Sequence, residues 1–305
     1  MSEYPKLAAR LGALRAAGRH AEAAALAEAQ RHLHPQEAHS IDWWIMSAAA
    51  AAGEHDTALR VLEESLDRGD WFAPDRMRET GDFDSLAGDE RFEQALKRCG
   101  ERRDEALHHA RPALTIQRPA SPPPWPVLLA LHGNGEPVAS VLRHWGGTGR
   151  LLAAPVSGSV SGPDRFVWAA ATTGEVRRHV ATLSEMGAMT SDLIIGGFDR
   201  GAYHALRLAL TGAVAARGAI VVSPAMNDIE EIEGSLPDAA ARGLRVAFVY
   251  GTGDPRPAKA VPRVAAQLAG AGLETRVESR DELVRDYAED WAALLPDLLA
   301  FIAPA

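Results

Sequence analysis

Three short, mostly apolar runs in the last two thirds of the chain each end in a glycine-rich turn carrying a polar side chain. This ordered set limits the fold more than any other feature. Val127–Leu131 leads into His132-Gly133-Asn134-Gly135, and Leu193–Gly196 into Gly197-Phe198-Asp199-Arg200-Gly201. Arg245–Tyr250 leads into Gly251-Thr252-Gly253-Asp254-Pro255. Short apolar runs closed by turn residues read as strands buried on both faces, the habit of parallel sheets. Ala113–Gln117, Leu151–Pro155, Gly218–Val222 and Thr275–Glu278 are further candidate strands. Helical periodicity lies between them at Gly174–Met186, Gly201–Leu210, Pro257–Ala271 and Tyr287–Phe301. Alternation of this kind predicts an α/β class with a doubly wound, mostly parallel sheet. Its chemistry is expected at the carboxyl ends of the strands.

The first third is different. It is helical and carries a weak repeat, in which Leu11, Leu14, Gly18 and Ala23 return in kind as Met46, Ala49, Gly53 and Ala58. A period near 34 residues with helix, glycine turn and helix is the pattern of tetratricopeptide-like hairpins. The glycines fall where a helix end needs left-handed backbone. Ala21–Arg31 and Asp56–Arg68 read as the second helices, and a last helix is expected from about Glu90 to His108. A turn-rich stretch, Asp70–Asp84, holds Trp71, Phe72 and Phe83, and Trp43-Trp44 read as helix core. Arg118–Pro126 is proline-rich and breaks helices, so the boundary is placed just before it. The expected domains are 1–110, tetratricopeptide-like, and 111–305, of the doubly wound α/β class. Two hairpins are few for a peptide-binding array. The helical block is therefore expected to cap the second domain, with recruitment of a protein partner as the alternative.

Charge and cysteine content exclude several classes. The net charge is -9 and the sequence pI about 5.7. That argues against nucleic acid, which calls for a basic stripe, and against an anionic membrane surface. No run of about 18 apolar residues suggests a membrane span, and the first residues lack the marks of a signal peptide. Cys99 is the sole cysteine, so no intrachain disulfide can form, and a reducing, cytoplasmic setting is expected. No His/Cys/Asp cluster has metal-ligand spacing, and Gly196-Gly197 lacks the rest of a phosphate-binding fingerprint. Neither a metal nor another cofactor is expected. Asp228–Gly234 reads as a solvated helix face.

The three strand ends have a joint meaning. The loop His132, Gly133, Asn134, Gly135 can turn backbone N–H groups toward a developing oxyanion. Glycines two residues either side of Asp199 permit a tight strand–turn–helix elbow that exposes the central side chain. Asp254 stands where the acid of a triad would orient a base, although an Asp before Pro255 is also a plain turn former.

These motifs resemble bacterial esterase/phospholipase-like α/β-hydrolases that carry an N-terminal tetratricopeptide-like region. The likeness extends along the chain. In the helical part it rests on Phe83-Asp84-Ser85-Leu86-Ala87-Gly88-Asp89-Glu90-Arg91-Phe92. Beyond that it rests on Leu129 to Gly135, Phe166-Val167-Trp168, Gly196-Gly197-Phe198 and Tyr250 to Pro255. The C-terminal match is Asp286-Tyr287-Ala288-Glu289-Asp290-Trp291, then Leu295-Pro296. In that family the elbow reads Gly-Phe-Ser-Gln-Gly, and a Gly-His pair precedes the final helix. Here Asp199 stands at the serine position and Arg285 at the histidine position, while Asp254 matches the acid. The resemblance implies the fold and not esterase activity, because arginine cannot take a hydroxyl proton.

Three functional readings remain open. Asp199 could act as acid/base with Arg285 binding an anionic or carbonyl group of a small organic substrate. Cyclisation, dehydration, isomerisation or epimerisation would suit such a pair. The second reading is an inactive hydrolase homologue kept as a ligand-binding or scaffold protein, its site filled by an Asp199–Arg285 bridge. Arg285 would then lie between Asp199 and Asp254, its charge favouring ionised Asp199. The third follows a resemblance to haloalkane dehalogenases and epoxide hydrolases, which carry Gly-x-Asp-x-Gly; here it would need a hidden base. His132 is read as a structural member of its loop, and His204 as lying off the Asp199 face. His144 and His179 have no assigned place, and Asp281 and Glu282 are substitute bases on the loop before Arg285. Asn134, Trp168, Arg200 and Tyr203 complete the candidate pocket, with Trp168 as an apolar wall and the Arg200 side chain solvated.

Overall fold

The computed structural model describes residues 4–157, 159–163, 165–168, 172–281 and 283–304. The chain divides into two compact units. One is Met1–Ala110 with Val160–Pro163, and the other Arg111–Ser159 with Asp164–Ala305.

The first unit contains α1 (Tyr4–Ala16), α2 (His20–Gln30), α3 (Ala38–Ala51), α4 (His55–Asp67), α5 (Pro74–Glu79) and α6 (Glu90–His109). The sequence repeat has a physical basis in its turns. Gly18 and Gly53 have φ of 72° and 80°. After α1, the Gly18 N–H bonds Arg15 O at 2.9 Å and the Arg19 N–H bonds Leu14 O at 2.9 Å. After α3, the Gly53 N–H bonds Ala50 O at 3.0 Å and the Glu54 N–H bonds Ala49 O at 2.8 Å. Both are the same glycine-centred stop, which satisfies the last helical carbonyls. The repeated positions Leu11, Met46, Ala23 and Ala58 are all buried, the small alanines letting consecutive helices lie close. Trp43, Trp71, Phe72, Phe83 and Phe92 share this core, and the Arg76 guanidinium covers the Trp43 ring at 3.9 Å. Asp42 is fully buried but compensated: Arg31 Nε lies at 2.6 Å, Arg68 pairs with it, and the Ser65 hydroxyl donates at 2.8 Å. Cys99 is buried too, and burial raises its thiol pKa. Asp89 caps α6 through the N–H groups of Arg91 and Phe92.

The second unit is built on a seven-stranded sheet. Its strands are β1 (Ala113–Gln117), β2 (Pro126–Leu131), β3 (Leu151–Val156), β6 (Met189–Phe198), β7 (Gly218–Val222), β8 (Arg245–Gly251) and β9 (Glu274–Arg280). Two short extended segments, β4 (Val160–Gly162) and β5 (Arg165–Phe166), lie outside it. The order across the sheet is β1-β3-β2-β6-β7-β8-β9, with only β1 antiparallel to its neighbour. Side chains alternate between two buried faces, as the pleat requires. Val127, Leu129 and Leu131 join the core on one face, and Leu128 and Ala130 the core on the other. The helices α8 (Thr172–Glu185), α9 (Asp199–Leu210) and α11 (Pro255–Gly270) supply buried residues to the first core. The second receives those of α7 (Val138–Trp145) and α12 (Trp291–Ile302).

Strand order places the functional loops. From β2 the chain moves outward to β3 and then crosses back to β6 on the other side of β2, a topological switch point. Leu131 pairs with Gly197 across β2 and β6, so the loop after β2 and the elbow after β6 leave the sheet side by side.

Several local expectations are corrected. β6 begins at Met189, four residues before the expected Leu193. α12 begins at Trp291 rather than Tyr287, because residues just before it form the wall of the site described below. The run Asp228–Gly234 presents its glutamates to solvent as expected, but on a 3-10 helix, Glu230–Ser235, that buries Ile232 and is followed by α10 (Leu236–Ala241).

Candidate functional site

The elbow explains its own glycines. Asp199 has φ of 51°, the left-handed region that non-glycine residues seldom occupy. A Cβ on Gly197 would come within 2.5 Å of the Gly201 carbonyl, and one on Gly201 would overlap the carbonyls of Leu131 and His132. α9 can start directly at Asp199 only because both positions are bare. Ala225 fixes the turn from the other side, its N–H donating to the Asp199 carbonyl at 3.0 Å.

The Asp199 side chain is nearly enclosed, with a relative exposure of 10%, and both of its polar partners converge on Oδ2. The Asn134 N–H donates to it at 3.1 Å, and Arg285 Nη2 at 2.9 Å. Nη2 also reaches the Asn134 carbonyl at 3.5 Å. The loop expected to turn N–H groups toward an oxyanion therefore turns one toward the protein's own carboxylate.

Arg285 also has left-handed backbone, with φ of 35°. Its segment crosses the end of β8 where Gly251 stands, since any Cβ there would overlap the Leu283 carbonyl. An aromatic cluster anchors the same segment two residues on. Tyr287 stacks on His144 at 3.9 Å and on Phe198 at 4.7 Å, accepts from Trp145 Nε1 at 2.9 Å, and is buried. Trp291 Nε1 donates to the His144 carbonyl at 2.6 Å. Phe198 directly precedes Asp199, so one cluster holds both ends of the ion pair.

Glu136 is a member of this site that has no motif to announce it. Its Oε2 accepts the Gly133 N–H at 2.6 Å, and the Tyr287 hydroxyl lies 3.5 Å from its Oε1. Burial raises its pKa, and the charge of Asp199 raises it further against the bond from Gly133. A second backbone donor of the loop is thereby engaged by a carboxylate. The only signal available in sequence was its place directly after Gly135.

The remaining expected residues separate. Asp254 does not meet Arg285 as an ion pair; Arg285 does not lie bonded between two aspartates. Asp254 Oδ1 instead accepts the Arg256 N–H at 3.2 Å and caps α11, with Pro255 in the first helical turn. Burial raises its pKa, partly offset by that bond and by the charge of Arg285. His132 is buried, its Nδ1 2.9 Å from Gly133 O. A carbonyl can only accept, so the proton is on Nδ1, leaving Nε2 to accept the Ser157 N–H at 3.5 Å. Burial lowers the pKa of His132 to about 4. Trp168 stacks on His132 at 4.3 Å and donates Nε1–H to its carbonyl at 2.7 Å, supporting the loop from behind. Asn134 Oδ1 accepts the Trp168 N–H, and Gly135 bonds the Phe166 carbonyl at 2.9 Å. Arg200 lies over the Tyr203 ring at 4.9 Å, and both line a cavity beside the elbow.

No histidine bonds the Asp199 carboxylate among the described residues. His144 is held by Ser140 and Tyr287, His204 is buried in the α9 packing, and His179 is half-buried on α8. Asp281 is exposed and forms no ion pair with Arg285. Glu282 lies outside the described residues. No group of three or more His, Cys, Asp or Glu that could hold a metal occurs among the described residues. No described helix is long and apolar enough to cross a membrane.

Residues 7–107 match a family model described as A/B hydrolase-like, N-terminal domain. Comparison with curated protein sequences gives no match. Among solved structures, an uncharacterized protein from Bacillus cereus ATCC 10987 is 24% identical, with 98% of each chain covered and a TM-score of 0.54. Esterase PE8 is 17% identical over 63% of this chain and 99% of its own, with a TM-score of 0.53. Zea mays acyl-protein thioesterase 2 is 17% identical over the same shares, with a TM-score of 0.50. The chain has the α/β-hydrolase fold, preceded by a helical domain.

Proposed function

We propose that this chain is a non-hydrolytic member of the α/β-hydrolase fold, a ligand-binding protein whose ester-cleaving site is closed from within. One observation carries the reading. Asp199 Oδ2 accepts both the Asn134 N–H and the Arg285 guanidinium, so the nucleophile position, the oxyanion donor and the base position are bonded to one another. A serine mechanism needs a free hydroxyl, a neutral base and an open oxyanion site, and each of these is replaced or occupied. The aspartyl-ester route of epoxide hydrolases and dehalogenases is disfavoured as well, because among the described residues no histidine bonds the carboxylate to activate water.

The acid/base reading, with Asp199 moving a proton and Arg285 holding an anionic or carbonyl group, keeps one supporting observation. The Arg285 side chain is 53% exposed and, among the described residues, bonds only through Nη2. Its other nitrogens can receive a ligand without breaking the bridge. A small organic molecule is the partner in either case.

Turnover of a short activated ester separates these readings from hydrolysis. The wild type is expected to give none above background, and the Asp199→Ser, Arg285→His double variant is expected to gain it. Steady turnover by the purified wild type, lost in Asp199→Asn, would overturn the proposal.

A further inference from the structure

We infer that the cavity beside the elbow is an oxyanion site, taking a small polar molecule that carries a phosphate or carboxylate together with a hydroxyl or amino group. It holds about 290 Å³, just below the usual range for small-molecule pockets of about 300–1,000 Å³. Arg200, Tyr203, Met226, Asn227, Asp228 and Arg256 line it. All belong to the sheet unit, on the segments that follow β6, β7 and β8.

The argument rests on donors without acceptors. Most arginines of this acidic chain are paired: Arg15, Arg19, Arg31, Arg60, Arg68, Arg78, Arg91 and others each hold a carboxylate. Arg200 and Arg256 face one cavity, and neither side chain forms a hydrogen bond or ion pair with any described residue. Arg200 has only the Tyr203 ring beneath it. The Tyr203 hydroxyl has no hydrogen bond among the described residues either, although its ring is buried. Two arginines and a tyrosine thus line one open, polar concavity. Planar guanidinium matches phosphate or carboxylate through paired, charge-assisted bonds.

One carboxylate faces them. Asp228 lines the same space and, among the described residues, accepts only the Glu230 N–H at 3.4 Å. It leaves the cavity with one net positive charge and with an acceptor in the same lining as the arginines. A bare anion would leave that acceptor facing negative charge, whereas a hydroxy or amino anion would engage both walls. Met226 gives the ligand a small apolar contact. This deepens the proposed function by naming the ligand class, and it rests on that reading for taking the cavity as a binding site rather than a leaving-group channel.

The test is calorimetric titration of the full chain with three probes: inorganic phosphate, glycerol 3-phosphate and lactate. At least one is expected to bind with a dissociation constant below about 1 mM at low salt. Affinity is expected to fall with added salt, as exposed charges are screened. The Arg256→Gln and Arg200→Gln variants are each expected to weaken that binding about tenfold or more. Tighter binding of glycerol 3-phosphate than of lactate would assign a phosphoryl group, and the reverse a carboxylate. Asp228→Asn is expected to strengthen inorganic phosphate and to weaken the hydroxylated probe. Binding of none of the three by folded protein overturns the inference, as does binding indifferent to both arginine variants. Ester turnover by the wild type with arginine-dependent binding intact would instead remove the non-hydrolytic reading and leave the cavity's assignment standing.

Discussion

Charge placement at single residues accounts for most of the site's behaviour. Asp199 is enclosed while Arg285 is half open, so the two ends of the bridge are unequal. Arg285→Ala leaves a buried carboxylate with the Asn134 N–H as its remaining partner and, because the arginine is half exposed, should destabilise by about 1–3 kcal/mol. Asp199→Ala removes the buried charge and leaves an arginine that water can reach. Its cost should be well under half as large. Chemical denaturation of both variants measures the difference, and equal losses would contradict the picture. Tyr287→Phe tests the anchoring cluster in the same way. It strands the buried Trp145 indole donor and should cost about 1–3 kcal/mol.

Elements meet at this site because glycines let them approach. Gly201 lies against the carbonyls that end β2, so Gly201→Ala must push apart the elbow and the loop after β2. A loss of about 1–3 kcal/mol is expected, with a weaker Asn134–Asp199 contact visible in amide exchange at Asn134. This level was also the most legible in sequence. Strand-ending glycine turns announced the elbow and the loop after β2, because tight turns restrict residue choice. Asp254 shows where the pattern is ambiguous. An aspartate followed by proline is equally a helix cap, and the cap is what forms. Glu136 could not be read, since its role depends on a fold-made contact with Gly133 and Tyr287 rather than on spacing. α7, only eight residues long, was missed for a related reason. Short helices draw their stability from tertiary packing, here that of Val141 and Trp145, which periodicity does not reveal. α12 starts four residues after its expected beginning because Tyr287, which has the apolar character of helix core, is instead the pillar of the site.

Over the molecule as a whole, two buried histidines set the acid limit. Burial lowers both His132 and His204 to about 4. Their folded pKa values lie below the unfolded value of about 6.5, so the unfolded chain binds protons first. The contribution of these two histidines to stability is therefore full above pH 6.5 and falls between pH 6.5 and 4, by up to about 1.4 kcal/mol per pH unit for each. Both ring nitrogens of His204 lack a hydrogen-bond partner, so His204→Phe forfeits no bond and should make the acid limb shallower. Denaturant midpoints from pH 7 to 4.5 check this, and an unchanged slope in the variant would count against it.

The unequal burial of the ion pair also makes mutational history directional. A path that first exchanges Arg285 for a residue that cannot donate a hydrogen bond passes through a protein with a stranded interior charge, while one that exchanges Asp199 first passes through a folded and merely idle one. Any lineage that loses the bridge would be channelled through the second order. Intermediates with arginine opposite a small neutral elbow residue should accordingly be found more often than intermediates with aspartate opposite an apolar side chain.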